Sequence, residues 1–144
     1  MKTFICLISI IAATTCFGSQ EDDYRKANPV ESTLYHFIPT SIEAEIYHCR
    51  YRYTIYQSTI DRCFDAVPSK YREGEISAKH KRMLALEERV FSDEMAMFNE
   101  IKEVKSPGDQ LCLFKYNGVN VSEEGYLIIR AGKILKKWIM VGSM

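Results

Sequence analysis

From Thr40 to Val67 the apolar residues fall at Ile42, Ile46, Cys49, Tyr53, Tyr56, Ile60, Cys63 and Val67, in steps that alternate four and three. That alternation is the stripe of one helix face, and it predicts a long amphipathic helix with the stripe buried. Glu43, Arg50, Gln57 and Asp61 occupy the opposite face. Thr40 with Glu43 fits a capping box. Pro39 precedes the helix and Pro68 closes it, since proline lacks a donor and biases the residue before it away from helical geometry. Tyr51 to Ile60 is rich in β-branched and aromatic residues, which are weak helix formers, so packing must sustain that stretch.

A second helical pattern runs from Ile76 to Phe91, through His80, Met83, Leu84, Glu87 and Val90, with Ser92-Asp93 as its expected end. Val30, Leu34, Phe37 and Ile38 are spaced for a short helix that would pair with the long one, and the polar stretch Gln20 to Lys26 is expected to fray. Met95 to Val104 fits either a helix or an edge strand. Lys105-Ser106-Pro107-Gly108-Asp109 is a turn.

Beyond that turn the period changes. Leu111–Tyr116, Gly125–Arg130 and Ile134–Val141 are short β-branched or aromatic runs, separated by Asn117-Gly118 and by Ala131-Gly132-Lys133. They predict an antiparallel meander. Helices first and a meander last make an α+β fold: a long helix and a second helix packed on a curved antiparallel C-terminal sheet. A four-helix factor is the alternative if Met95–Val104 is helical and the meander is short.

Lys2 followed by the apolar run Phe4–Ala13, with Cys16 and Gly18 as small residues before a cut, reads as a secretory signal over residues 1–18. A segment over 19–39 and one α+β domain over 40–144 follow. The expected setting is extracellular. No later run reaches the roughly 20 apolar residues of a membrane span. Acidic and basic residues balance, 19 against 19, and the cations are scattered, which argues against a nucleic-acid surface.

Three cysteines remain outside the signal: Cys49, Cys63 and Cys112. On a continuous helix Cys49 and Cys63 would stand about 21 Å apart, too far for a bridge. Cys112 paired with one helix cysteine is the favoured disulfide, and three buried thiols are the alternative. No metal-ligand spacing and no cofactor motif occurs. Asn120-Val121-Ser122 is a glycosylation sequon in an expected loop. Candidate acid–base groups are His48, Asp61, Asp65 and His80. His48 stands beside the stripe, and Asp61 with Asp65 forms an i,i+4 carboxylate pair.

The order of a long helix, a second helix opening at Gly74-Glu75-Ile76, Ile101-Lys102-Glu103-Val104, a Gly108-Asp109 turn and three strands, the last running from Gly132-Lys133-Ile134 to Trp138-Ile139-Met140-Val141, resembles the nuclear transport factor 2-like superfamily. That superfamily includes ketosteroid isomerase and polyketide-cyclase-like proteins. The resemblance covers residues 41–143. It implies a cone in which a curved sheet wraps the long helix around a pocket, lined here by Tyr53, Tyr56 and Trp138. The catalytic Asp and His of enzymatic members have no counterpart at matching positions. The expected function is therefore binding of a small apolar ligand in that pocket, without a cofactor. The alternatives are a recognition or homodimerising module acting through the sheet face, and a lyase- or isomerase-like enzyme.

Overall fold

The computed structural model describes residues 20–143, so the expected signal over 1–18, with Cys6 and Cys16, lies outside the described residues. The fold is α+β. The chain divides into two compact units: residues up to Ser41 together with Val104 onward, and Ile42–Glu103.

The first unit is an antiparallel sheet of four strands: β1 (Tyr35–Pro39), β2 (Gln110–Asn117), β3 (Ser122–Arg130) and β4 (Lys133–Ser143), in the order β1-β2-β3-β4. The meander read from the sequence is strands β2 to β4. Two register shifts in the β3–β4 pairing, at Glu124/Gly125 and Ile128/Ile129, bend it.

The segment expected as a short helix over Val30–Ile38 is instead a single 3-10 turn, Glu31–Leu34, followed by the edge strand β1. Burial alternates there, Tyr35 and Phe37 in, His36 and Ile38 out. That two-residue period pairs Tyr35 with Tyr116 and Phe37 with Phe114. Thr40 continues the edge, its N–H donating to the Leu111 carbonyl at 3.0 Å.

Residues 20–27, expected to fray, form a helix, α1. Its anchor is Tyr24, buried edge-on against the rings of Tyr35 and Phe37. Together with Cys112, Phe114, Leu127 and Ile129 these residues make one core on one sheet face. Polar bonds pin α1 at both ends. Gln20 Nε2 donates to the Gly108 carbonyl at 3.1 Å, and Arg25 Nη1 donates to the Ser32 carbonyl at 3.1 Å.

The turn before β2 is clamped to the end of β3. Arg130 donates from Nε to Asp109 Oδ1 at 2.8 Å and from Nη2 to Oδ2 at 2.6 Å, and the Ser106 N–H donates to the same carboxylate at 2.8 Å. Asp109 is buried, and the Arg130 bonds hold its carboxyl below the ordinary carboxylate range. Asp109→Ala should therefore cost about 2 kcal/mol, the low part of the range for bonds to charged groups because Arg130 stays partly wetted. A depressed native pKa means the contribution is present above the unfolded value and fades as pH falls through the native one. In urea titrations, the stability gap between wild type and Asp109→Ala should shrink below about pH 4. A gap independent of pH would mean the clamp is not ionic.

The second unit is a helical hairpin: α2 (Ile42–Asp65), a 3-10 turn at Ser69–Tyr71, and α3 (Glu75–Val104). α2 matches the expected long helix, though it starts at Ile42, so Thr40 and Glu43 do not stand at the capping-box spacing. α3 runs straight through Ser92-Asp93 and takes in Met95–Val104. Strong helix formers surround the two polar residues, and Arg89 reaches Asp93 one turn on, at 3.9 Å.

Candidate functional site

The hairpin holds two cavities. Its helices run antiparallel, as the order of contacts shows: Cys49 and Arg52 with Glu94, Tyr53 on Phe91, then Asp61 and Phe64 on His80. Tyr53 stacks on Phe91 at 4.4 Å between centroids and accepts a bond from Gln57 Nε2 at 2.7 Å. Phe64 stacks on His80 at 4.2 Å, while His80 Nε2 meets Asp61 Oδ1 at 2.8 Å.

Burial along the hairpin is graded. Ile42, Glu45 and Cys49 of α2 and Phe98 and Ile101 of α3 are buried, yet no residue from 50 to 97 is. The buried stripe predicted for α2 thus holds at its first turns and opens toward Val67, with Tyr56 47% exposed.

The first cavity sits between Cys49, Arg52, Tyr53, Tyr56, Glu87, Val90, Phe91 and Glu94, and measures only about 10 Å³. That is room for at most one water. Two of the expected ligand residues, Tyr53 and Tyr56, therefore line a dimple too small for an organic ligand. Trp138, the third, is on β4, and its buried indole N–H meets no partner among the described residues. Beside the dimple the Cys49 thiol donates to Glu94 Oε2 at 3.0 Å, and Glu94 also takes a close ion pair from Arg52. Burial first, and then the Glu94 carboxylate, push that thiol up to about 12, so it is no nucleophile.

The second cavity is an open groove of about 400 Å³ on the outer half of the hairpin. Thr59, Ile60, Cys63, Phe64 and Val67 form one wall, and Ile76, Lys79, His80 and Met83 the other. Exposed apolar residues extend it along α3: Ile76 is 39%, Met83 42%, Leu86 58% and Val90 43% exposed. These recur at seven-residue and three/four-residue steps, and Ile76 and Met83 face α2 across the groove while Val90 lines the dimple beside Phe91.

Comparison with family models, with curated proteins and with solved structures finds no match to this chain.

All three described cysteines are free, which corrects the expected Cys112 bridge. α2 is unbroken, so Cys49 and Cys63 stay four turns apart, and Cys112 lies within the sheet core, where burial lifts its thiol to about 12. Cys63 is exposed in the groove. Of the acid–base candidates, His48 is exposed rather than half-buried, and Asp61 turns to His80 rather than standing with Asp65, which meets Arg72 at 3.8 Å. No group of His, Cys, Asp and Glu among the described residues has the arrangement of a metal site. No helix among them is long and apolar enough to cross a membrane. Asn120 occupies the exposed loop between β2 and β3, beside the fully exposed Val119.

Proposed function

We propose that this protein is a secreted recognition module that engages helical partners through the apolar flank of its α2–α3 hairpin. The observation that carries this reading is a 48-residue stretch, 50–97, with no buried residue, an open groove between its helices and half-exposed apolar residues at Ile76, Met83, Leu86 and Val90. An isolated two-helix hairpin gains little from propensity alone, and helices of this kind are completed by packing a further apolar face. An open groove flanked by two helices suits an amphipathic helix, read by anchors at i, i+3, i+4 and i+7.

The test asks whether the flank serves the protomer's own fold. Met83→Lys and Leu86→Lys, measured by urea unfolding at high dilution, should change stability by less than about 0.5 kcal/mol, as exposed positions do. Leu84→Ala, at a half-buried position of α3, should cost more than about 1 kcal/mol. If the two flank variants unfold the hairpin as readily as Leu84→Ala, the flank is internal core and the reading fails.

A second reading keeps the small apolar ligand but moves it from Tyr53, Tyr56 and Trp138 to the groove, whose volume of about 400 Å³ falls in the range of ligand sites. Native mass spectrometry of the purified secreted protein should then show a bound lipid-like mass that Met83→Lys removes.

A further inference from the structure

The recognition reading leaves the partner open, and the charges of α3 narrow it. From Glu75 to Leu86 the charged residues are Glu75, Lys79, Lys81 and Arg82. From Glu87 to Val104 they are Glu87, Glu88, Asp93, Glu94, Glu100 and Glu103, against Arg89 and Lys102. The amino-terminal part of the helix is basic and the carboxyl-terminal part acidic. The macrodipole acts within the first and last turns, where Glu75 and Lys102 already stand favourably, so it does not account for the split between the two halves of the helix. The split does complement a second copy laid antiparallel.

The seam has the matching symmetry. Met83 and Val90, and likewise Ile76 and Met97, are placed evenly about a point next to Leu86. Lys79 and Asp93 lie seven residues to either side of Leu86, two helical turns each way. A twofold axis crossing α3 there sets apolar residue on apolar residue and Lys79 against Asp93 of the second copy. Such an isologous contact closes on itself.

The area suffices. The exposed apolar side chains of this flank, Tyr56, Cys63, Ile76, Met83, Leu86 and Val90, offer on the order of 500 Å² per protomer, the apolar share of an interface of about 800 Å² a side. Without Lys2 the secreted chain carries 18 basic against 19 acidic residues, a formal −1 that adds little repulsion between copies.

Resting on the recognition reading, we infer that the partner is a second copy of this chain, docked antiparallel through the α3 seam about a twofold axis near Leu86, so that two hairpins complete a four-helix bundle.

Sedimentation equilibrium on the full secreted chain tests this. Wild type should be a dimer, and Leu86→Glu should weaken association by at least about 30-fold with an unchanged far-ultraviolet spectrum. Lys79→Asp and Asp93→Lys should each weaken it, and the double variant should recover most of the loss. A Leu86→Cys variant in a Cys63→Ser background should cross-link through its new thiol with oxidised glutathione, which is reduced as the bridge forms. Native Cys63 should not cross-link, because antiparallel docking sends the two copies of it to opposite ends.

A monomeric wild type at high concentration overturns the dimer, but leaves recognition of another helical partner standing if the flank variants still fold normally. A Cys63–Cys63 bridge, or a double charge swap weaker than either single one, overturns the antiparallel arrangement. Dissociation by Ile139→Lys but not by Leu86→Glu overturns the hairpin interface in favour of the exposed β4 residues Ile139, Met140 and Val141.

Discussion

Replacing Gly125 with alanine is expected to destabilise the protein by about 3 kcal/mol, the upper end of what overpacking costs. Gly125 is buried in β3 at a register shift, opposite Ile139 of β4. A Cβ built there overlaps the carbonyl oxygen of Trp138, and it also lies 3.1 Å from the Ile139 Cα. Both obstacles are backbone, so no rotamer change relieves them. The strands must separate or the bulge must migrate by one residue. Migration would turn Tyr126 and Trp138, which face each other across the ladder, to the wrong side of the sheet. The β3–β4 amides should therefore lose hydrogen-exchange protection first, before those of α2. An alanine variant with wild-type melting would show that the bulge is soft and that the close approach at Gly125 constrains nothing.

The physical reason that α2 and the meander can be read from the sequence is that each is periodic over its own length. The steps from Ile42 to Val67 and the alternation from Leu111 to Tyr116 need no information from elsewhere in the chain. Elements settled by tertiary context read less well. Tyr35 and Phe37 belong to a pattern short enough to suit a helix or a strand, and pairing with Phe114 and Tyr116 decides it. Ser92 and Asp93 look like a helix end, yet two polar residues cannot stop a helix when strong formers continue on both sides. The candidate site was harder still. Ile76, Met83, Leu86 and Val90 are ordinary core residues by type, and only their exposure separates them from Leu84 and Phe91. A count of the seven-residue spacing would have raised the question from sequence alone. Tyr53 and Tyr56 fall on the stripe by spacing, but a stripe says nothing of how much space lies in front of it.

Tyr24→Ala should cost about 3–4 kcal/mol, as for the loss of a buried aromatic ring, although it sits in a segment whose composition reads as a frayed end. Its ring closes the sheet core against Tyr35 and Phe37, at 6.1 and 5.7 Å between centroids. Removing it also loosens the bonds from Gln20 and Arg25 that depend on α1 staying in place. Tyr24→Phe should behave in the opposite sense. The hydroxyl is buried with no hydrogen-bond partner among the described residues, so deleting it removes an unsatisfied group and should be neutral or stabilising by up to about 1 kcal/mol. Burial raises this phenol from 10.0 to about 12, with Glu31 adding to the shift. The native state therefore holds its proton where the unfolded chain has released it, and stability falls as pH rises from 10.0 to about 12. Phenylalanine removes that loss, so its advantage over wild type should widen across the same window in thermal melts. If Tyr24→Ala melts like wild type, α1 does not close the core, and the first unit must be held by the sheet alone.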